Sequence, residues 1–425
     1  MIVVKSLLDY LYQDCIIINR NGVIMENMLD FYEKLVNMVK SINGDVYLVG
    51  GAIRDKLIGN VEPKDYDFVV THIDLDDLTK LLKSTFPYGS INEVGKSFGI
   101  IKLRIEDDEF DFAIPRQDVD RNNVTYNKDI NIVEDLDRRD FVINAGAWNL
   151  NTEFKNQNII SPNGYNVVDD INNKIIRTVG NPLDRFTEDS LRMIRAIQIS
   201  SRLGFDISQE TKDAIQKLAP KLKSVSGERI FEELKKAWTK GKADSKVLVN
   251  LLDKLTIGKT LFGNTFNPIP ATLSNLKGED KVIGMFVAFF LRGGDFNIMK
   301  PDANCIKVLE LAKNIHSSTQ SPHTFIGNLK PQLPILLNVF QDIGNARMVD
   351  KVQDMMRLPM TSKELAIKGE EIISILQIVS PKDSRKIGIV QKLMLEAIWD
   401  GSLENKREQL IKFCEDYKKC MTTRS

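Results

Sequence analysis

A glycine pair followed at short range by a pair of aspartates constrains this chain more than any other feature. The two lie in Leu48-Val-Gly-Gly-Ala-Ile-Arg-Asp55 and Lys64-Asp-Tyr-Asp-Phe68. Val46 to Val49 is a short apolar run of strand character. Gly50-Gly51 breaks it, and Ala52 to Ile58 reads as a helix starting at once. Glycines at a strand–helix junction let the backbone approach a ligand closely. The N–H groups of the new helix then point at an anion. Arg54, one turn on, can fork onto the same phosphates.

Alone, such a junction is usually a tight turn, and an isolated Asp-x-Asp is usually a solvated acidic turn. Together they point to a metal site. Asp65 and Asp67 precede the apolar run Phe68-Val69-Val70, and residues i and i+2 of an extended segment share a face. Paired carboxylates repel unless a cation sits between them, and hard oxygen ligands suit Mg²⁺. A two-metal site needs a third carboxylate from a neighbouring strand. Glu109 to Ile114 alternates in period two, with Phe110, Phe112 and Ile114 on one face and Glu109 and Asp111 on the other. Asp111 is the candidate, and Glu109 is its competitor.

The chain's 425 residues suggest two or more structural units. Hydrophobic residues make up 43%, enough for a core without disulfide or metal staples. Basic and acidic residues balance at 58 each, so any surface for nucleic acid must be local. Cys15, Cys305, Cys414 and Cys420 are scattered, with no CxxC and no histidines at zinc spacing. That pattern fits a reduced intracellular protein. The N-terminus lacks the pattern of a signal peptide, and the longest apolar run, Val282 to Leu291, is too short to span a bilayer. A cytoplasmic location and no membrane partner are expected by default.

The spacing of apolar residues predicts a helix from Met28 to Ile42, ending at Asn43-Gly44. Further strands are predicted at Phe68 to Thr71, Ile100 to Ile105 and Glu109 to Ile114, with a helix from Leu75 to Phe86. Arg116 to Ile130 is polar and reads as a mobile loop. Beyond about residue 180 the periodicity is helical, with helices at Thr187 to Leu203, Ser208 to Leu218 and Ser226 to Trp238. From 240 to 425 nearly everything reads as helix, with Pro/Gly/Asn loops near 263–272 and 317–334. The expected architecture is a mixed strand-and-helix head followed by an elongated all-α portion.

The apolar–Gly–Gly block with Asp-x-Asp flanked by apolar residues resembles the signature of the polymerase-β-like nucleotidyltransferase superfamily. Val49-Gly-Gly-Ala-Ile-Arg-Asp-Lys-Leu-Ile-Gly59 with Lys64-Asp-Tyr-Asp67 is similar to the class II branch, which holds CCA-adding enzymes and bacterial poly(A) polymerases. Two later blocks carry the same resemblance. Arg138-Arg-Asp-Phe-Val-Ile-Asn-Ala145 resembles the family's RRDFTINA motif, with Val142 in place of Thr. The resemblance implies that Arg139, Asp140 and Asn144, with Arg138 beside them, contact the ribose of the incoming nucleotide. Ile176 to Pro182 with Arg185 to Ala196 is similar to the family's RTVGDP…RFxEDPLRMLRA block.

The chemistry of that last block can also be argued from its residues. Asp189 and Arg192 are three apart, one face of a helix. An aspartate accepts and an arginine donates. Cytosine and adenine each present an amino donor beside a ring-nitrogen acceptor, so such a pair can select C and A and leave U and G with unpaired groups. On any other helix this would be a plain i,i+3 salt bridge. Arg195 resembles a residue that helps hold the nucleotide, while Gln198 stands where the family often has a further arginine. Glu228-Arg229 resembles the family's last motif, although Ser226 with Glu228 equally suits a capped helix start.

The resemblance spans roughly residues 45 to 240. It implies an α+β fold: a polymerase-β-like head with a mixed sheet, then an all-α neck, body and tail. The expected division is an N-terminal extension (1–26), a catalytic head (27–180), a neck with the base-recognition motif (181–260) and an RNA-binding body and tail (261–425). It also implies two Mg²⁺ ions held by Asp65, Asp67 and Asp111, and a nucleotide site built from Gly50, Gly51, Arg54, Arg138, Arg139, Asp140, Asn144, Asp189, Arg192 and Arg195. The implied substrates are CTP, ATP and a tRNA 3′ end. None of the three histidines is followed by Asp, so no appended HD phosphohydrolase domain is expected. The loop at 116–130 favours full CCA addition over CC addition. The alternatives are a poly(A) or A-adding enzyme of the same fold and, more remotely, a non-catalytic RNA-binding protein. Oligomeric state is not legible.

Overall fold

The structure, a computed structural model, describes residues 27–59, 65–93, 99–106, 108–118, 124–239, 245–263, 276–293, 300–317, 332–359, 361–378 and 384–422. The expected N-terminal extension and most of the two expected loops near 263–272 and 317–334 lie outside them. The chain divides into two compact units, residues 1–224 with 255–257 and residues 225–254 with 258–425.

The first unit opens with helix α1 (Asn27–Lys40), strand β1 (Val46–Val49), α2 (Gly51–Ile58), β2 (Tyr66–Val70) and α3 (Leu75–Thr85). Next come β3 (Ser90–Asn92), β4 (Ile100–Ile105), β5 (Asp108–Ala113), β6 (Arg116–Asp118), β7 (Val124–Tyr126) and α4 (Ile132–Asp137). A 3₁₀ turn (Val142–Asn144), β8 (Ala147–Asn149), β9 (Ile159–Ile160), α5 (Val167–Asn172) and β10 (Ile175–Ile176) follow. The unit closes with α6 (Pro182–Glu188), α7 (Leu191–Leu203), β11 (Asp206–Ile207) and α8 (Gln209–Leu218).

Among the described residues the main sheet has seven strands in the order β3-β4-β5-β2-β1-β8-β9. β2 and β5 run parallel; their neighbours pair antiparallel. The period-two pattern of β5 holds: Phe110 and Phe112 are fully buried and Ile114 nearly so, while Glu109 is exposed and Asp111 half-buried. One sheet face is an aromatic core. The Phe31 ring of α1 stacks on Phe110 at 4.3 Å between centroids, and Phe68 stacks on Phe112 at 5.1 Å. Each such ring contributes about 1.5–3 kcal/mol on burial. Against the other face, Ile132 and Leu136 of α4 pack with Tyr47, Val49, Val69 and Ala147. Register puts Ala147, Val49, Asp67, Asp111 and Lys102 in one row across five strands.

Two elements differ from the sequence reading. Arg116 to Ile130 is not wholly irregular, because β6 pairs with β7. Val124, Thr125 and Tyr126 are strand-prone residue types that the surrounding Asn and Asp had masked. The single helix expected from Thr187 to Leu203 is two. Asp189 adopts an extended conformation (φ −144°, ψ 105°) between α6 and α7. Its carboxylate accepts from the Leu191 N–H at 3.3 Å, the helix-starting role that aspartate favours over a helix interior.

The second unit is helical: α9 (Gly227–Thr239), α10 (Ser245–Lys254), α11 (Ile257–Phe262, entered from the first unit), α12 (Gly278–Leu291), α13 (Ala303–Ser317), α14 (Leu333–Asp342), α15 (Ala346–Arg357), α16 (Gly369–Leu376), α17 (Ser384–Trp399) and α18 (Arg407–Thr422). Phe231 of α9 meets Phe286 of α12 at 4.5 Å between centroids. Glu228 pairs with Lys300 at 3.0 Å. Toward the C-terminus, Ile372, Val390, Met394, Leu410 and Cys414 form a core of their own. No described helix is long and apolar enough to cross a membrane.

Candidate active site

The strand–helix junction places the glycines as their chemistry requires. Gly50 has φ 75° and ψ −138°, a left-handed conformation that L side chains resist, and its N–H donates to the Gly146 carbonyl at 3.1 Å. A methyl group on Gly50 would lie 3.4 Å from Arg139 Nη1 and 3.5 Å from Asp67 Oδ2. The absence of a side chain thus leaves the backbone open to both. The Arg54 guanidinium lies against Gly51, its Nη2 3.3 Å from where a Cβ would be. Arg54 is 4% exposed. It donates to Asp55 Oδ1 at 2.8 Å and to Asn144 Oδ1. It therefore braces α2 against the 3₁₀ turn as well as lining the glycine loop.

Asp67 and Asp111 are register partners on the parallel strands β2 and β5, so their carboxylates share a face. Asp65 ends the approach to β2 and is exposed. Asp67 is reached by solvent, yet protein surrounds its carboxyl. Desolvation pushes its pKa up, and the charges of Asp111 and Asp65 push the same way, against Arg139 and Lys102. Asp111 faces an internal cation: Lys102 Nζ, its cross-strand neighbour, donates to Oδ1 at 2.8 Å and Oδ2 at 3.0 Å. Glu109 stands farther off, at 3.7 Å from the same ammonium. Among the described residues no three His, Cys, Asp or Glu side chains close around one point.

α4 delivers the arginines. An Asn131–Glu134 capping box starts it, and Arg138 and Arg139 leave its end. Both fork onto Asp135. Asp140 accepts from Arg195 Nη1 of α7 at 3.1 Å, and its other oxygen accepts from the Phe141 N–H at 2.8 Å. Arg192 donates to Glu188 Oε2 at 2.6 Å, while its N–H donates to the Asp189 carbonyl at 3.1 Å. Burial pushes the Glu188 carboxyl up, but the hydrogen bonds and charges of Arg192 and Arg185 outweigh it and hold the group below the usual carboxylate range.

The structure thus brings together Gly50, Asp67 and Arg139, then Arg54 with Asn144, then Asp140 with Arg195. Asp189 and Arg192 are neighbours through backbone, with Glu188 on the guanidinium. Three partners escaped the sequence reading. Asp135 had a signal, since it stands three and four residues before two arginines. Lys102 had none, because its meeting with Asp111 depends on strand register. Glu188 adjoins the motif and was passed over for Asp189.

Residues 46–177 match the family model described as the poly A polymerase head domain. Residues 204–266 match one described as a probable RNA and SrmB-binding site of polymerase A. A CCA-adding enzyme of Staphylococcus aureus strain Mu3 is 34% identical over 209 residues, 48% of this chain and 48% of that enzyme. The chain thus spans about half the length of the curated relatives it matches. The fold is shared with the Bacillus stearothermophilus CCA-adding enzyme solved with CTP (TM-score 0.61, 21% identity, 93% of this chain and 98% of that one). A CCA-adding enzyme solved with ATP is similar to a like degree (TM-score 0.60, 21% identity, 90% and 94%).

Proposed function

We propose that this chain, whose residues 46–177 match the poly A polymerase head-domain family, adds CCA to tRNA 3′ ends from CTP and ATP and releases pyrophosphate. The observation that carries the reading is the convergence of Gly50, Asp67 and Arg139, with Asp111 in register beside Asp67. A glycine turn opening a helix, an arginine and two aligned carboxylates make a site for a nucleoside triphosphate and its counter-ions.

The family implies divalent-metal-dependent catalysis, and the donor set fits it in kind: hard carboxylate oxygens on adjacent strands, where desolvation first and the charges of Asp111 and Asp65 after it raise the Asp67 pKa. Asp65, Asp67 and Asp111 would hold two Mg²⁺ ions, which when bound would neutralise charge on the triphosphate and at the RNA 3′-hydroxyl. The chain's own residues do the positioning. The first-turn N–H groups of α2 and the Arg54 guanidinium would receive the phosphates, joined by Arg139, which the motif resemblance gave to the ribose but whose Nη1 lies against Gly50. Asp140, Asn144 and Arg138 would orient the ribose. Asp189 and Arg192 would read the amino group and ring nitrogen of C or A, held at a helix junction by the Leu191 N–H and by Glu188. Arg195 would reach the nucleotide through the face it shares with Asp140. The all-α portion from 261 to 425 would bind RNA by shape and phosphate contacts.

Primer extension with Mg²⁺ tests this. Three tRNA transcripts, ending before the first C, after the second C and after the terminal A, are offered CTP and ATP separately and together. The expected result is addition of C, C and A and then a stop. Long A tails on unrelated RNA would move the protein to the poly(A) class, and A added only to the CC-ended tRNA would make it an A-adding partner. No incorporation on any substrate would remove the catalytic reading.

A further inference from the structure

Asp135 has no exposed surface, yet it serves three residues on two segments at once. Its Oδ1 accepts from Arg138 Nε at 3.0 Å, Arg138 Nη2 at 2.5 Å and the Arg116 N–H at 3.3 Å. Its Oδ2 accepts from Arg139 Nη2 at 3.0 Å and Nε at 3.4 Å. Burial alone would push its pKa up, but the charges of Arg139 and Arg138 hold it below the usual carboxylate range, so it is an anion. One buried anion between two arginines is costly as a stability device, because apolar packing does that work as well or better. What it adds is geometry: a fork fixes the plane of a guanidinium.

Arg139 gives Asp135 its Nε and Nη2 edge. Its Nη1 is then left at the junction of Gly50 and Asp67. Resting on the nucleotide-site reading above, we propose that Asp135 is a positioning residue for nucleotide binding. It orients Arg139 so that Nη1 faces the glycine turn, where the phosphates of a nucleoside triphosphate lie, and it anchors the start of the β6–β7 hairpin to the same carboxylate. An asparagine keeps the shape but offers one acceptor oxygen, too few for both arginines and the Arg116 amide. A lysine at 139 keeps the charge but cannot fork.

Equilibrium binding of a fluorescent ATP analogue, displaced by ATP or CTP in the absence of RNA, tests this on the full chain. Wild type, Asp135→Asn, Arg139→Lys and the double variant are compared, with circular dichroism and tRNA binding as controls. Each single variant should weaken nucleotide binding about tenfold or more, roughly the worth of one charge-assisted hydrogen bond. The double variant should be no weaker than the worse single one, with tRNA binding unchanged. A purely structural role would lower thermal stability instead, with the two losses multiplying in the double variant, and that result overturns the inference. So does unchanged affinity in Asp135→Asn. If that variant does not fold, unchanged affinity in Arg139→Lys overturns it. Wild type that binds neither ATP nor CTP overturns the nucleotide-site reading, and this inference with it.

Discussion

Asp67 shows how a site of this kind is set against the stability of its own fold. Desolvation, Asp111 and Asp65 raise its pKa in the folded chain. Between the ordinary aspartate value and the raised one, the native state binds more protons than the unfolded state, so stability falls as pH rises through that window. In metal-free buffer, Asp67→Asn should therefore melt higher than wild type at neutral pH. The two should converge below about pH 4, where the unfolded carboxylate is also protonated. A variant that melts lower than wild type at pH 7 would contradict the electrostatic account. Added Mg²⁺ should raise the melting temperature of wild type and do little for the variant, since only a bound state is stabilised by ligand. At the other end of the site, Asp189→Ala removes the acceptor for the Leu191 N–H as well as the proposed base-reading group. Discrimination of CTP and ATP over UTP and GTP should drop by one to two orders of magnitude, about the cost of one unpaired buried group, with a melting shift of only ~1 kcal/mol. Unchanged nucleotide selection in a competition assay would remove Asp189 from the reading.

The elements hold those residues in place through the aromatic face beneath them. Phe110 is fully buried, stacks on Phe31 and lies next to Asp111 in the same strand. Phe110→Ala should cost about 3–5 kcal/mol in chemical denaturation. A cost below ~1 kcal/mol would mean that the core can collapse around the gap. The alternation that buries Phe110 and Phe112 was plain in the sequence, as were the glycine turn after β1 and the carboxylate faces of β2 and β5, because period two and glycine chemistry are local properties. What was hidden depended on strand register and on local signals that masked one another. Lys102 reaches Asp111 only because β4 and β5 pair in that register. The break at Asp189 was missed because an apolar period runs through both α6 and α7 and conceals an aspartate that serves its neighbour's backbone. The hairpin at β6 and β7 was missed because three strand-forming residues sat in a polar stretch.

For the whole molecule, balance of charge does not mean indifference to nucleic acid. The 58 basic and 58 acidic residues cancel in sum, but phosphate contacts are counted locally. Binding of tRNA should weaken by about 10³-fold or more between roughly 50 and 200 mM salt if some six phosphates are engaged. A flat salt response would rule out backbone contacts as the source of affinity. The topology of the sheet has a further effect. β2 and β5 lie side by side and parallel, so the chain must travel out through α3, β3 and β4 and return before Asp111 can sit beside Asp67. Parallel neighbours cannot be joined by a tight turn, and contacts of long sequence separation form late and slowly. The pairing of Asp67 with Asp111 is therefore a product of tertiary assembly: until β5 docks on β2 the two carboxylates stand apart, and the acidic row across the strands is incomplete.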